Sequence, residues 1–384
     1  MSNSLSPFQK RVIYILACIS ILVTAIWFIG SFEFISWDFR NELWAPSYLV
    51  WHRESAYNTT LLFPMSLAVW FPQIIGVFFP LGLLSQYQAA NIWLGMNIVL
   101  LVYLIWFLTT QAGQGKPTPA LFSVLLVSAF LFPPTIRLLI LGQVDLLFIT
   151  AAIAGMYALN QRRLMLGAFL YALALTKPQL AVVVLPCVVG YLAFIKKDRQ
   201  TAVKFMLAIC FFMLALTIPL WISNPAWFND FISNILQNPR WNQPSIFFLL
   251  YSRIGKAGVI VWLVLCVSVF LILLKLWQKT APAYAILWSI ALTTIVSPYI
   301  WSWDFALLLP LLIDTAARIK TSGARIILLM FYLLCFILST LALQPGHNAS
   351  DEVLWWIPIV ILTGILVSLG LSSAPARKER MGRA

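Results

Sequence analysis

Charged side chains are scarce in this sequence. Asp, Glu, Lys and Arg make up 10% of its 384 residues, while 62% are hydrophobic and the mean hydropathy is +0.92. A soluble globular domain contains about 25% charged residues. The scarcity excludes a water-soluble fold, because so much apolar surface could not be hidden from water. We predict an all-α, polytopic transmembrane bundle in which residues 1–384 form a single integral membrane domain.

Histidine and cysteine are also few, and several motifs are absent. The two histidines, His52 and His347, have no metal-ligand partners at useful spacing, so we expect no metal site. The five cysteines are odd in number and lie in apolar stretches, which indicates small core residues rather than a disulfide framework. There is no Walker motif, no phosphate-binding glycine loop and no Ser–His–Asp order. No internal repeat is evident, which argues against an inverted-repeat transporter.

Basic residues outnumber acidic ones, and the net charge is +13. In a membrane protein this excess is typical of the positive-inside rule, so we expect no nucleic-acid partner. Apolar segments of about 20 residues, oriented by Lys and Arg, give about 12 spans with both termini inside. The early spans are a retained signal-anchor helix at 12–32, helices at 86–110, 119–134 and 143–160, a hairpin of two spans with its outer tip at Lys177-Pro178-Gln179, and a helix at 201–222.

The first outer loop is predicted to cover residues 33–85. Its apolar part, 61–84, is broken by three prolines: Pro64, Pro72 and Pro80. Proline interrupts helices, and a full span here would invert every later basic loop, so we interpret this part as interfacial or re-entrant helices. Two further segments lie outside the predicted spans: a second outer segment at 223–256 and a basic cytoplasmic tail at 374–384.

Asp38 is the candidate general base of the first outer loop. An acid a few residues outside an apolar span lies near the interface, where desolvation can raise its pKa into the range useful for proton abstraction. The alternative is a solvated loop carboxylate. We favour that alternative for the other acids of the loop, which are Glu33, Glu42 and Glu54.

Basic residues at outer helix ends are exceptions to the positive-inside rule. They are Arg137, Lys177, Arg240 and Arg253. Lys177 lies in an apolar hairpin directly before a proline, where a cation could bind a phosphate at the depth of the membrane surface. The alternative is a side chain that extends to the interface without binding a ligand. For Arg253 and Lys256 we favour that alternative.

A third outer segment, 297–304, combines Ser-Pro with several aromatic residues. The aromatic rings fit an interfacial belt, and they would also fit stacking on a sugar ring or contact with a lipid. Asp304 opens the next predicted helix, so it could cap that helix or bind substrate. The turn from Gly142 to Asp145 looks similar, since it also leads into a helix.

Taken in order, these segments resemble glycosyltransferase family 87, whose members are bacterial membrane enzymes of the GT-C fold. The resemblance covers about residues 10 to 320. The matching motifs are Trp37-Asp38-Phe39, Ala56-Tyr57, Phe63-Pro64, Pro80-Leu81, Ala90-Asn91-Ile92-Trp93 with Asn97, Leu141-Gly142-Gln143-Val144-Asp145, the run from Gly167 to Lys177-Pro178-Gln179, and Ser297-Pro298 with Trp301. Each motif is short, and the specificity comes from their order and spacing.

The resemblance implies an inverting transfer from a polyprenyl-phosphate sugar, with mannose as the expected sugar. It gives Asp38 the role of general base, and it needs no cofactor beyond the donor substrate. Its partners would be the donor, a lipid or glycan acceptor and the surrounding membrane lipids, at the outer face of a bacterial plasma membrane. The substrate-binding residues that we expect are Lys177 and Gln143 from motif matches, Arg137 and Arg240 from charge and side, and Trp301 and Asp304 from the third segment.

Two departures and two alternatives accompany this interpretation. Some family members have histidine after the Ser-Pro…Trp motif, where this chain has Trp303-Asp304, and the usual double proline is only Pro64. A transporter or lipid-linked glycan flippase would need polar residues at mid-membrane depth or broken helices in repeated halves. A ligase of lipid-linked glycans would typically have a much larger outer loop.

Overall fold

The computed structural model describes residues 36–63, 68–113, 117–237, 242–342 and 351–381, and no strand occurs in these ranges. Their α-helices are α1 (Ala45–Trp51), α2 (Pro72–Phe78), α3 (Gln86–Gly113), α4 (Pro119–Leu131), α5 (Pro133–Leu141), α6 (Asp145–Asn160), α7 (Leu164–Ala174), α8 (Pro178–Gly190), α9 (Arg199–Ser223), α10 (Trp227–Gln237), α11 (Ile246–Ile254), α12 (Lys256–Lys279), α13 (Pro282–Val296), α14 (Leu309–Arg318), α15 (Ser322–Ala342) and α16 (Ile357–Met381).

Short helical stretches of other types connect or extend these helices. Two are π-helical, Phe39–Trp44 before α1 and Tyr191–Ile195 after α8. Four are 3-10 helices: Thr59–Leu61, Phe79–Leu83, Ser302–Leu308 and Asp351–Leu354. The predicted all-helical membrane architecture is therefore confirmed for the described part of the chain.

Six helices in the described ranges are long and apolar enough to cross a membrane: Gln86–Ala112, Pro178–Ile195, Arg199–Ser223, Lys256–Lys279, Ser322–Ala342 and Asp351–Ser372. The number becomes seven if the bent pair α4 and α5 is one span. The predicted total of about 12 is not confirmed. The span predicted at 12–32 lies outside the described residues, and α6, α7 and α13 are shorter than the roughly 20 residues that a straight crossing needs.

The helix predicted at 119–134 is broken rather than continuous. Helix α4 ends at Leu131, Phe132 adopts an extended conformation, and α5 starts at Pro133 with its axis turned by 64°. The physical reason is Pro133, which disfavours a helical conformation in the residue before it. After the break, α5 ends at the turn that begins with Gly142 and carries the polar residues Gln143 and Asp145.

The long helices expose apolar side chains outward, as expected when lipid is the solvent. On α12, for example, Ile260, Val264, Val267 and Leu271 are all exposed. The main core lies between the helices and includes Phe148, Tyr171, Phe205 and Phe305 among its fully buried side chains. This core fixes the ends of α6, α8 and α13 relative to one another.

A second, smaller core holds the segment that contains Asp38. Phe39 packs on Phe78 and Trp93 with ring centroids 5.6 and 6.1 Å apart. The segment 61–84 was predicted to form interfacial or re-entrant helices. The helices in its described part are short: α2 has seven residues, and the 3-10 helix after it has five. Gln73 of α2 donates to the carbonyl of Leu175 across 2.9 Å, which fixes this segment over the α7–α8 hairpin.

Candidate active site

A tight turn between α5 and α6 carries the first polar residues of the site. Gly142 ends α5 with φ +73°, a left-handed conformation that favours glycine, and its N–H donates to the carbonyl of Leu138 across 2.9 Å. Trp93 donates its indole N–H to the Gly142 carbonyl across 2.7 Å. The turn is thereby fixed against α3, and it places the side chains of Gln143 and Asp145 at the same end of the bundle.

Lys177 is the centre of the buried polar cluster. It lies directly before Pro178, which starts α8, and the residue is only 2% exposed. Its ammonium group donates to Oε1 of Gln143 across 3.1 Å, to Oδ1 of Asp145 across 2.9 Å, and to Oδ1 of Asp304. An ammonium group has three donors, so all three are in use.

The charge of Lys177 is stabilised by two fully buried carboxylates. Burial alone would lower the pKa of Lys177, but Asp145 and Asp304 raise it above its usual range. Asp145 and Asp304 are both 0% exposed, and a buried charge needs such partners. Lys177 is therefore protonated at every physiological pH. Its ammonium group also lies 5.5 Å from the ring centroid of Trp70, a cation–π contact.

The Ser-Pro segment reaches the same cluster from the other side. Ser297, which follows α13, donates its hydroxyl to the carbonyl of Gln179 across 3.2 Å. Asp304 accepts the backbone N–H of Trp301 through Oδ2 across 2.8 Å, so its predicted capping role is confirmed while its other oxygen binds Lys177. The rings of Trp301 and Trp303 stack with centroids 5.1 Å apart, and Trp301 is half-buried.

Asp38 lies beside this cluster and is half-buried. Gln143 donates its amide N–H to Oδ2 of Asp38 across 2.5 Å. Burial raises the pKa of Asp38 to about 6, although the hydrogen bond from Gln143 and the charges of Lys177 and Arg137 act in the opposite direction. The sequence-based expectation of a desolvated carboxyl group at this position agrees with that pKa.

Arg137 lies near the site but already has an anionic partner. Its guanidinium pairs with Oδ1 of Asp351, and the Arg137 side chain is 20% exposed. Asp351 also accepts the backbone N–H of Ser302 across 2.9 Å and the Ser302 hydroxyl across 2.7 Å. The guanidinium lies 5.6 Å from the ring centroid of Trp303. Arg137 thus combines partial exposure, an aromatic neighbour and a carboxylate partner.

Two carboxyl groups of the candidate site were not predicted from the sequence. Asp145 was treated only as part of a turn, yet it is a partner of Lys177. Glu42 was expected to be a solvated loop acid, and that expectation is wrong. Glu42 is half-buried, accepts the indole N–H of Trp70 through Oε2, and has a pKa raised to about 8 by burial first and by the Asp38 charge second. The only local sign in the sequence that Glu42 would be partly buried is the presence of Trp37 and Trp44 nearby.

The structure brings Asp38, Gln143, Lys177 and Asp304 together. Trp301 directly precedes the Ser302–Leu308 segment, and Arg137 of α5 contacts that segment through Asp351 and the ring of Trp303. Their substrate-binding roles stay predictions, since the structure shows these side chains holding one another. Glu54 and His52 are exposed, as expected. In the described ranges no group of three or more His, Cys, Asp and Glu side chains is placed to hold a metal ion. Residues named in the sequence analysis that lie outside the described ranges are Glu33, Pro64, Arg240 and His347.

The fold and the site define a polytopic helical membrane protein with a buried Lys–Asp cluster and a raised-pKa carboxyl group at one end of the bundle. The sequence model of glycosyltransferase family 87 matches residues 72–298, more than half of the chain. The chain belongs to glycosyltransferase family 87 and is a membrane glycosyltransferase. No curated protein matches it.

The match includes some site residues and leaves out others. Arg137, Gln143, Asp145 and Lys177 lie within residues 72–298, whereas Asp38 and Asp304 lie outside them. The assignment of Asp38 to the site therefore depends on its hydrogen bond to Gln143, which the match does cover.

Proposed function

We propose that this glycosyltransferase moves a hexosyl group, mannosyl by the family resemblance, from a polyprenyl-phosphate sugar to a hydroxyl group of a lipid or glycan acceptor. The observation that carries the proposal is Asp38, a half-buried carboxyl group that Gln143 orients and that has a pKa of about 6. A base with this pKa is ionised at neutral pH and still accepts a proton readily.

In the proposed reaction the acceptor oxygen attacks the anomeric carbon and passes its proton to Asp38. The bond from the anomeric carbon to the phosphate oxygen breaks, and its electron pair stays on the lipid-linked phosphate. Attack from the face opposite the leaving group inverts the anomeric configuration. No cofactor is needed, because the phosphate is already a good leaving group.

Cations near the site would stabilise the charge of the departing phosphate. Arg137 is the better placed of the described candidates, since its side chain is 20% exposed. In this proposal the donor phosphate would replace Asp351 as the partner of Arg137. Lys177 would have to give up Gln143, Asp145 or Asp304 before it could bind a phosphate. We propose that Gln143 and Asp304 position Lys177, that Trp301 stacks on a sugar ring, and that Arg240 adds a further charge.

We place the reaction at the outer face of a bacterial plasma membrane, with both termini cytoplasmic. The basic loops of the sequence support this orientation through the positive-inside rule. The donor lipid tail would then lie between helices, and the acceptor would approach from the aqueous side.

The test uses the purified full-length protein in lipid, a panel of radiolabelled polyprenyl-phosphate sugars and membrane lipid acceptors. Wild-type protein should transfer one sugar with inversion, and Asp38→Asn should reduce the rate by about 10²–10⁴-fold, the usual loss for a general base. Glu54→Gln is the matched control, because it neutralises an exposed acid of the same segment. Transfer that survives Asp38→Asn would remove Asp38 as the base, and transport without transfer would remove the enzymatic proposal.

A further inference from the structure

Glu42 lies one helical turn after Asp38, on the same helical segment. Residues four positions apart in a helix lie on the same face, with Cβ atoms about 5–6 Å apart. The Asp38 charge is close enough to raise the pKa of Glu42. The two carboxyl groups therefore belong to one site, although the proposed reaction uses only Asp38.

Trp70 connects Glu42 to the buried cluster. Its indole N–H donates to Oε2 of Glu42, and its ring lies over the ammonium group of Lys177 at 5.5 Å. The backbone carbonyl of Trp70 accepts the hydroxyl of Tyr57 across 3.2 Å, which holds the Trp70 backbone in place. Consecutive contacts therefore link Asp38 to Gln143, Gln143 to Lys177, Lys177 to Trp70, and Trp70 to Glu42. Glu42 in turn lies one helical turn from Asp38.

The second oxygen of Glu42, Oε1, has no hydrogen-bond partner among the residues that the structure describes, and it is not sealed from solvent. Because Oε2 accepts from Trp70, the proton of the neutral acid belongs on Oε1. A neutral carboxyl group at this position offers one hydrogen-bond donor to a ligand, and an ionised one offers a negative charge.

Few other groups near Glu42 could change charge between neutral and alkaline pH. Asp38 is ionised above about pH 6, and Lys177 has a raised pKa. Burial also raises the pKa of Asp304, which contacts Lys177, so Glu42→Gln is needed to assign a pH dependence to Glu42. Tyr299 feels the charge of Glu42, and burial raises its pKa above the usual value. Four elements pack on Phe39–Trp44: α1, α2, α3 and Phe79–Leu83. The only titratable side chains on these four elements are the tyrosines Tyr48, Tyr87 and Tyr103. Arg40, on the π-helical stretch itself, lies 6.0 Å from the Tyr87 ring.

We propose that Glu42 is a donor-binding residue, and that its protonated carboxyl group donates a hydrogen bond from Oε1 to the phosphate of the sugar donor. This inference rests on the proposed function for the identity of the phosphate. With a pKa of about 8, Glu42 is neutral at pH 7 and can donate. Above that pH its charge would repel the phosphate, so donor binding should weaken while Asp38 remains an active base.

The test measures binding rather than transfer. Full-length protein in lipid nanodiscs is titrated with polyprenyl phosphomannose and no acceptor, at pH 7 and at pH 9. This phosphodiester keeps one negative charge over the range, so any pH dependence belongs to the protein. For the wild type we expect the dissociation constant to rise by about tenfold, the effect expected of one close and partly screened like-charge contact.

Two variants separate a donor-binding role from a structural one. In Glu42→Gln the amide oxygen can still accept from Trp70 and the amide nitrogen can still donate to a phosphate, so binding at pH 7 should stay close to wild type and the pH dependence should vanish. In Trp70→Phe the N–H that lowers the pKa of Glu42 is lost. The weakening should then begin at a higher pH. Glu54→Gln should retain the wild-type dependence.

The outcomes are distinguishable from those of the transfer assay. Binding that weakens with pH in the wild type and not in Glu42→Gln supports the inference, even if no transfer is found. Binding that is absent, that is independent of pH in the wild type, or that weakens equally in Glu42→Gln overturns it. If transfer occurs in any of those cases, the proposed function stands without a role for Glu42.

Discussion

Gln143 donates its side-chain amide to Oδ2 of Asp38 across 2.5 Å, although 105 positions separate the two residues in the chain. The orientation of the amide is fixed, because its oxygen accepts from Lys177 across 3.1 Å. One neutral side chain therefore couples the candidate base to the buried cation and holds the carboxylate in a single direction. This coupling makes the ionisation of Asp38 depend on Gln143.

The first prediction concerns the acid limb of the pH–rate profile. Asp38 must be ionised to take a proton, so wild-type transfer should fall as the pH drops below about 6. The hydrogen bond from Gln143 lowers the pKa of Asp38. Gln143→Leu should therefore raise that pKa, move the acid limb to higher pH and reduce the rate at neutral pH.

The measurement is the initial rate of transfer at saturating donor over a series of pH values, for wild type, Gln143→Leu and Gln237→Leu. Gln237 is exposed and serves as the control for a Gln-to-Leu change away from the site. An acid limb that stays in place in Gln143→Leu, with only the plateau reduced, would show that Gln143 does not tune Asp38.

Part of the site could be predicted from the sequence because local rules were sufficient. Scarcity of charge made each polar residue conspicuous, which pointed to Asp38 and Lys177. Proline marked the start of α8 after Lys177, and Gly142 marked the turn that leads into α6. Helices predicted at 86–110, 143–160 and 201–222 correspond closely to α3, α6 and α9.

Other parts depended on contacts between distant residues, which no local pattern reports. Glu42 is removed from water by Trp70, 28 positions away, and Asp304 meets Lys177 across 127 positions. The sequence showed Lys177 as a cation in an apolar hairpin and gave no sign of its two carboxylate partners. Burial of a polar group follows from tertiary packing, so it could not be read from composition or spacing.

The second prediction concerns the contribution of Lys177 to stability. Lys177→Met would leave Asp145 and Asp304 facing each other without a cation in a fully buried position. Removing one partner from a buried ion pair typically costs about 3–5 kcal/mol. We expect a clearly lower thermal unfolding midpoint in lipid, and a recovery of most of it when Asp145→Asn and Asp304→Asn are added.

Lys204→Met is the control, because Lys204 is exposed and lacks a carboxylate partner among the described ion pairs. Equal midpoints for the Lys177 and Lys204 variants, with donor binding lost only in the first, would mean that Lys177 acts on the phosphate rather than on the fold.

The third prediction treats Asp351 as an internal anion that occupies the position a donor phosphate would take. Arg137→Gln removes a charged donor, so the donor KM should rise, by about tenfold for a charge-assisted hydrogen bond. Asp351→Asn keeps an oxygen for Ser302 and removes the charge that competes for Arg137, so the donor KM should fall. The measurement is the donor KM at fixed acceptor concentration. If the donor KM rose by a similar factor in both variants, the Arg137–Asp351 ion pair would have only a structural role, connecting Ser302–Leu308 to Asp351–Leu354.

The last prediction tests whether the turn at Gly142 sets the distance between Gln143 and Asp38. A Cβ added at Gly142 would lie 2.7 Å from Cβ of Phe39, the residue after Asp38, and the backbone φ of +73° costs an alanine about 1–2 kcal/mol. Gly142→Ala should push the Asp38 segment away from Gln143, lower kcat more than it changes the donor KM, and shift the acid limb in the same direction as Gln143→Leu. Gly95→Ala is the matched control, because it lies on α3 with no atom within 4 Å of an added Cβ. If both alanine variants retained wild-type kcat and acid limb, the close packing of Phe39 on Gly142 would have no part in positioning the base.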